Sequence, residues 1–331
     1  MAGGSVIVVT GASAGVGRAT ARAFGARGDR VALLARSTAG LAGACREVQA
    51  AGGTALGIPT DVADAAQVEA AATRVERELG PIDVWVNDAM ATVFAPVREL
   101  EVEDVRRATD VTYLGTVWGT LAALRRMLPR DRGTIVQVGS ALSYRAIPLQ
   151  AAYCGAKFAI RGFTDSLRTE LLHDRSHVRV TMVQLPAVNT PQFAWCKTRL
   201  ARHPQPVPPI FEPEVPAAAI VWAADHPRRE LWVARSATKA ILAAKLAPWI
   251  ADRYLARTGY DAQQTDEPVD PDRPCNLYEP VEGLHATHGR FDARASERSP
   301  ELWMTEHRTG LAGGVAVAVA GVAALALARR R

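Results

Sequence analysis

A tyrosine and a lysine lie four residues apart, at Tyr153 and Lys157, and Ser140 precedes the tyrosine by thirteen residues. If the segment from Ala152 onward is helical, the tyrosine and lysine side chains lie one turn apart on the same face. A free phenol has a pKa of about 10 and is a poor acid or base near neutrality. A neighbouring ammonium favours the phenolate, and a serine hydroxyl can hold a carbonyl oxygen beside it. These residue types suit proton transfer to or from an alcohol or a carbonyl, although the spacing alone often arises by chance.

A glycine-rich turn near the start of the chain is the second feature with chemical meaning. The β-branched run over residues 5–9 predicts a buried strand, and a helical pattern ending near Gly28 follows the turn. A glycine-rich turn between a strand and a helix lets the backbone approach a pyrophosphate, and the helix N-terminus supplies amide donors. We therefore predict a dinucleotide site formed by Thr10, Gly11, Ser13, Ala14, Gly15, Val16 and Gly17.

The end of the second predicted strand bears on the choice between NAD and NADP. The strand over residues 31–35 leads into Arg36 and Ser37, where enzymes selective for NAD usually carry an acidic residue. Because Arg36 could pair with a 2′-phosphate, NADP(H) is the preferred cofactor and NAD(H) is the alternative. In that alternative Arg36 is an ordinary solvated cation.

Strand and helix patterns alternate up to about residue 235. This alternation predicts a Rossmann-like, doubly wound α/β fold, a single domain with a parallel sheet and a C-terminal extension. Ligands of such sheets bind at the carboxyl ends of the strands. Asn87 follows the strand predicted over 82–86, and Ser140 ends the strand predicted over 133–140. The sheet is therefore expected to bring Asn87, Ser140 and the glycine-rich turn to one edge.

Taken in order, these pieces resemble the short-chain dehydrogenase/reductase family over about residues 5–235. The matching motifs are the glycine-rich turn, Asp61-Val62, Asn87-x-Ala89, Ser140 and Tyr153-x-x-x-Lys157. The resemblance implies that Tyr153 is the general acid/base and that Ser140 positions the substrate oxygen. It also implies that Lys157 holds the nicotinamide ribose and lowers the pKa of the tyrosine.

The same resemblance implies further cofactor contacts. Asp61 and Val62 are expected to flank the adenine, and Asn87 and Ala89 to lie along the cofactor. Thr190 is expected to contact the nicotinamide carboxamide.

Three places depart from the usual family pattern, one of them Pro186-Ala187 where Pro-Gly is usual. Asp88 and Met90 stand where an asparagine and a glycine are common, and the methionine should narrow the space beside the substrate. Thr112 stands where the long helix commonly carries an asparagine that supports a proton-relay water beside the lysine. Because a threonine can also bind water, we count Thr112 among the catalytic residues.

The resemblance implies hydride transfer between NADP(H) and a secondary alcohol or ketone. A lipophilic substrate is expected, because four residues could line an apolar pocket: Met90, Leu142, Ile147 and Trp195. The alternative is a non-catalytic NADP(H)-binding protein that acts as a membrane-tethered scaffold or sensor, and Thr112 and Asp88 motivate it. A sugar-nucleotide epimerase shares the Tyr-Lys pair, but the pattern over residues 259–308 does not predict the larger substrate domain that it needs.

Composition narrows the partners. The 331 residues carry a net charge of +5 that is not concentrated in one run, which fits an anionic cofactor or membrane surface better than a nucleic acid. The four cysteines form no C-x-x-C pair, which favours a reducing compartment over a disulfide framework or a zinc site. The pairs His173/His177 and His285/His288 lack a third ligand nearby in the sequence, so we predict surface positions and no metal.

The C-terminal part divides into an extension over 236–308 and a candidate membrane-anchoring helix over 309–328, after a catalytic domain over 1–235. The pattern from 236 to 257 predicts a basic amphipathic helix, kinked or split at Pro248, that either packs over the substrate cleft or lies at a membrane interface. Residues 259–300 predict an irregular arm that wraps the core or a neighbouring subunit.

The end of the chain is apolar. Leu311–Ala328 is an unbroken run of eighteen small or apolar residues closed by three arginines. A helix of this length reaches ~27 Å, slightly short of a ~30 Å hydrocarbon core. We predict membrane attachment, with docking on protein as the alternative. No signal peptide is apparent, so we expect a cytoplasmic, membrane-associated catalytic domain in a homo-oligomer that acts on a small-molecule alcohol or carbonyl.

Overall fold

The structure is a computed structural model that describes residues 4–308. Seven strands form one parallel sheet: Val6–Thr10 (β1), Arg30–Ala35 (β2), Thr54–Pro59 (β3), Val84–Asn87 (β4), Thr134–Ser140 (β5), Arg179–Leu185 (β6) and Glu230–Trp232 (β7). They lie in the order β3-β2-β1-β4-β5-β6-β7. The winding direction reverses between β1 and β4, which is where doubly wound sheets bind ligands. The predicted fold class is thus confirmed.

Helices cover both faces of the sheet. They are Gly15–Gly25 (α1), Thr38–Ala50 (α2), Ala65–Leu79 (α3), Val102–Thr109 (α4), Gly115–Met127 (α5), Ala151–His173 (α6), Gln192–Trp195 (α7), Glu214–Asp225 (α8), Arg235–Leu246 (α9), Pro248–Thr258 (α10) and Pro300–Glu306 (α11). A π-helical turn, Asp110–Leu114, joins α4 to α5. The helix expected over 236–257 splits at Ala247, because the ring of Pro248 cannot continue the hydrogen-bond ladder.

Two apolar clusters hold the sheet between its helical layers. Successive residues of a strand point to opposite faces, so Ile7 packs in one cluster with Phe24 of α1. Val8 packs in the other cluster with Val75 of α3. All of β1 is buried, as its β-branched sequence predicts. The rigid layers fix the position of the strand ends that carry the polar residues.

Residues 259–299, called the arm below, lie along the carboxyl edge of the sheet and have little regular structure. Gln264–Pro268 pairs antiparallel with Arg202–Pro204. Ala295–Ser296 pairs with Ile210–Phe211, which also pairs with Ala187–Val188. The arm therefore adds short strands to the loops that follow β6.

An ion cluster fixes one end of the arm to the core. Nε2 of His288 lies 3.0 Å from Glu214, and Nδ1 lies 3.3 Å from Glu212 and 3.4 Å from Asp292. Arg22 of α1 also binds Glu214, at 2.5 Å. His288 was expected on the solvated surface, but it is half-buried between three carboxylates because the arm folds back on α8.

The structure bears on the membrane expectations in two ways. Between residues 4 and 308, none of the helices is both long and apolar enough to cross a bilayer. The run Leu311–Ala328, with the membrane helix predicted over 309–328, lies outside the described residues. Helix α9 buries Ala237 and Ile241, whereas α10 buries no residue.

Candidate active site

The end of β5 and the first turns of α6 bring together the three residues predicted to carry the chemistry. Tyr153 and Lys157 lie one turn apart in α6, and Nζ of Lys157 is 5.5 Å from the centre of the Tyr153 ring. Lys157 is buried, and its ammonium donates to the carbonyl of Val138 in β5 at 2.6 Å. Because Ser140 ends the same strand, the β5–α6 connection places all three groups together.

Ser140 is oriented by its own backbone. Its Oγ accepts a hydrogen bond from the amide of Leu142 at 3.1 Å, and its amide donates to Oγ of Ser143 at 3.2 Å. The hydroxyl proton of Ser140 therefore points away from that turn and can be donated to an oxygen. Burial raises the pKa of Tyr153 above its usual value, and a hydrogen bond from Ser140 lowers it only in part. The phenol is thus protonated at neutral pH and able to act as an acid.

Asp88 is an acidic residue whose carboxyl group lies near the ammonium of Lys157. Burial raises the pKa of Asp88 to about 7, and the ammonium of Lys157 opposes that rise. Burial likewise lowers the pKa of Lys157 to about 8, and the Asp88 carboxylate opposes that fall. The hydroxyl of Thr10 holds the segment by accepting from the amides of Asp88 and Ala89, at 3.0 and 3.1 Å. Asp88 directly follows β4, and this position at the carboxyl end of a strand was the sequence signal that could have placed it in the site.

The glycine-rich turn has the geometry that a phosphate cradle needs. Gly11 has a φ of +72°, and a Cβ there would lie 2.9 Å from the Cα of Ala89. Gly15 has a φ of +56°, and a Cβ there would lie 3.0 Å from Cγ2 of Thr190. The first turn of α1 contains no acidic residue, and the Ala14 N-cap makes no side-chain hydrogen bond. Ser13, Val16 and Gly17 complete the turn, whose amide donors suit the pyrophosphate of a dinucleotide.

The expected adenosine contacts lie at the ends of β2 and β3. Arg36 donates through Nη1 to the carbonyl of Tyr278 at 2.6 Å, and through Nη2 to the carbonyl of Asn276. Asp61 accepts from Arg107 at 2.6 Å. Val62 follows it and is buried. In this structure the arm thus binds the cation that was expected to meet a 2′-phosphate.

The side chains of two predicted site residues make hydrogen bonds outside the predicted groove. The amide of Asn87 points into the core, where it donates to Gln137 at 2.9 Å and accepts from Trp85 at 2.8 Å. The hydroxyl of Thr112 both accepts from the amide and donates to the carbonyl of Ala91, each at 2.9 Å. The structure therefore does not bring the Asn87 side chain into the groove or the Thr112 hydroxyl to the lysine.

Comparison with known proteins agrees with this geometry. Residues 5–198 match the family model described as short chain dehydrogenase. The uncharacterised oxidoreductase YxnA of Bacillus subtilis is 31% identical over 327 residues, which is 98% of this chain and 90% of that protein. D-threitol dehydrogenase of Mycolicibacterium smegmatis is 33% identical over 227 residues, covering 67% of this chain and 86% of that enzyme.

A solved structure is similar as well. An alcohol dehydrogenase from the archaeon Thermococcus sibiricus, complexed with 5-hydroxy-NADP, superposes with a TM-score of 0.57 at 27% identity, covering 69% of this chain and 95% of that one. The strand order, the Ser140–Tyr153–Lys157 group and these matches lead to one assignment. The chain belongs to the short-chain dehydrogenase/reductase family of oxidoreductases.

Proposed function

We propose that this protein transfers a hydride reversibly between NADP(H) and a secondary alcohol or ketone, with Tyr153 as the general acid/base. The observation that carries the proposal is the proximity of a protonated phenol, a buried ammonium and an oriented serine hydroxyl at one strand end. Proton transfer of this kind needs a donor within hydrogen-bond reach of the substrate oxygen, and we assign that role to the hydroxyls of Ser140 and Tyr153.

In the reductive direction, the phenol of Tyr153 donates its proton to the oxygen of the ketone as the alcohol forms. Ser140 donates a hydrogen bond to the same oxygen and stabilises the charge that develops there. Lys157 stabilises the phenolate that remains, because its ammonium lies beside the ring. The bound cofactor supplies or accepts the hydride. In the oxidative direction, the phenolate of Tyr153 takes the proton of the alcohol.

A preference for NADP(H) over NAD(H) is part of the proposal. The end of β2 carries Arg36 followed by Ser37, and neither can accept hydrogen bonds from ribose hydroxyls as a carboxylate would. The guanidinium of Arg36 suits a 2′-phosphate in charge and geometry. The Thermococcus sibiricus relative was solved with an NADP derivative, which agrees with this preference.

We further propose a lipophilic substrate and a membrane-associated, cytoplasmic enzyme. Exposed apolar side chains line α9 and α10: Leu242, Leu246, Trp249, Ile250 and Tyr254. Lys245 of α9 and Met304 of α11 line a common groove of about 630 Å³, so α11 lies close to α9. Aromatic and basic side chains together favour an anionic bilayer surface. Assembly of the chain into a homo-oligomer remains a prediction.

Turnover of a substrate panel tests the function. Purified full-length protein should oxidise NADPH faster than NADH with at least one of a set of steroid, retinoid, fatty-ketone and sugar carbonyls. Tyr153→Phe should abolish turnover and leave NADPH binding within a few-fold of wild type. Tyr260→Phe, a change at a tyrosine exposed on the arm, is the control and should retain activity. A cellular role that survives Tyr153→Phe unchanged would favour the non-catalytic scaffold instead.

A further inference from the structure

The arm follows the line on which the dinucleotide was expected to lie. Residues 275–289, called the strap below, contact residues predicted for the adenosine end, the pyrophosphate turn and the nicotinamide end of the site. Most of these contacts use backbone carbonyls of the strap as acceptors for donors of the core.

At the adenosine end, the strap is bound by two arginines. The carbonyl of Leu277 accepts from Nη1 of Arg36 at 3.4 Å and from Nε of Arg107 at 3.0 Å. The side chain of Leu277 is fully buried and belongs to the apolar cluster that includes Val62. Arg107 also binds Asp61, so the strap passes directly beside the two residues expected to flank adenine.

At the glycine-rich turn, two backbone carbonyls of the strap accept hydrogen bonds from the start of α1. The amide of Gly15, in the predicted phosphate cradle, donates to the carbonyl of Ala286 at 2.9 Å. Arg18 of α1 donates to the carbonyl of His285 at 3.0 Å.

At the nicotinamide end, the strap passes close to Thr190. The amide of Gly289 donates to the carbonyl of Asn189 at 3.2 Å, and a Cβ on Gly289 would lie 2.5 Å from the carbonyl oxygen of Thr190.

These contacts compete with cofactor binding for the same donors. A backbone amide has one proton, so Gly15 cannot donate fully to both a carbonyl and a phosphate oxygen. Arg36 cannot direct the same N–H groups both at the strap carbonyls and at a 2′-phosphate. We therefore propose that the strap is an autoinhibitory segment that occupies the dinucleotide groove and must leave it before NADP(H) binds. The inference rests on the proposed function, because it assigns a regulation to the same site.

Two side chains of the strap are poorly paired, which favours displacement of the strap. Among the described residues, neither buried ring nitrogen of His285 has a hydrogen-bond partner, and the centre of its ring lies 5.3 Å from that of Trp195. Within the part of the chain that the structure describes, Glu282 accepts a hydrogen bond only from the hydroxyl of Ser37, which lies 3.2 Å from each carboxylate oxygen. Release returns these polar groups to water, while the strands Gln264–Pro268 and Ala295–Ser296, on either side of the strap, keep the arm attached. When only a fraction of the molecules is open, the apparent dissociation constant equals the intrinsic constant divided by that fraction.

Cofactor binding to strap variants tests the proposal without requiring turnover. Leu277→Asn places a polar group in the buried position and should release the strap, so the Kd for NADPH, measured by titration calorimetry, should fall at least ten-fold. Leu284→Asn changes an exposed leucine of the same strap and should leave the Kd unchanged. Equal Kd values for wild type and Leu277→Asn would overturn the strap proposal and leave the proposed function standing. If neither protein bound NADPH or NADH, both proposals would fail.

Hydrogen exchange on the wild-type protein gives a second readout that does not depend on a variant folding. Saturating NADPH should speed amide exchange across residues 275–289, because the displaced strap loses its contacts. Slower exchange across the same residues would overturn autoinhibition, since it would mean that the strap closes over bound cofactor.

Discussion

The ammonium of Lys157 lies 5.5 Å from the ring centre of Tyr153 and is fixed by a 2.6 Å hydrogen bond to the carbonyl of Val138. In the proposed mechanism the ammonium stabilises the phenolate, so Lys157→Met should raise the pKa of Tyr153 further and slow oxidation of the alcohol by about 100-fold. The pH at which oxidation reaches half its maximal rate should also rise. Steady-state kcat across pH 6–10 measures both effects, and an unchanged pH profile would argue against this role for the lysine.

Asp88 should set the pH range in which Lys157 is charged. Its carboxylate raises the pKa of Lys157, so Asp88→Asn should move that pKa below its present value of about 8. The limb of the kcat/KM profile that reports loss of the ammonium should then shift to lower pH. Asp83→Asn is the matched control, because Asp83 lies at the opposite end of β4, where its carboxylate accepts from the amide of Val6 and from Arg132. A shift of equal size in both variants would contradict a specific effect of Asp88.

Thr112 should act by positioning the segment after β4. Thr112→Val leaves the buried amide and carbonyl of Ala91 without partners, which should lower the free energy of unfolding by about 2–4 kcal/mol. Thr112→Ser keeps both hydrogen bonds and should retain stability and kcat. Denaturant unfolding and kcat separate the outcomes. If Thr112→Val kept wild-type stability but lost kcat, the relay role expected from the sequence would be favoured.

The local parts of the site could be predicted from the sequence, because their spacing determines their geometry. Tyr153 and Lys157 share a face of α6. Ser140 ends β5, and the pairing of β5 with the neighbouring strands fixes its position. The glycine-rich turn was readable for the same reason. Each of these relationships spans a few residues or one strand–helix unit, and parallel sheets connect such units in a restricted way.

Long-range contacts could not be predicted in this way. Arg36 meets carbonyls about 240 residues further along the chain, and nothing in the irregular sequence of the arm indicates that path. Asn87 ends a strand as expected, but its amide faces Gln137 and Trp85 because those polar groups require partners in the core. Side-chain direction at a strand end depends on neighbours that only the assembled sheet reveals.

Gly11 should be required for its conformation and for its lack of a side chain. Gly11→Ala imposes a φ of +72° on a residue with a Cβ and brings that atom 2.9 Å from Ala89. Gly28→Ala imposes a similar φ of +77° with no heavy atom within 4 Å, so it isolates the conformational cost of about 1–2 kcal/mol. Thermal unfolding should show a larger loss for Gly11→Ala, and NADPH affinity should fall only in that variant. Equal losses of stability would mean that the close approach to Ala89 is not needed.

The attachment of the arm should weaken as pH rises above neutrality. Partial burial lowers the pKa of His288, but the hydrogen bond to Glu214 and the charges of Glu212 and Asp292 outweigh it and raise the pKa above 6.5. A group whose pKa is raised on folding contributes stability that is complete below 6.5 and is lost as pH passes through the higher, folded value. Amide exchange in residues 286–292 should therefore be faster at pH 8.5 than at pH 6, after correction for the intrinsic exchange rate. His288→Gln should remove this pH dependence, and His226→Gln, at an exposed histidine, should preserve it. A pH dependence that persisted in His288→Gln would show that another group fixes the arm.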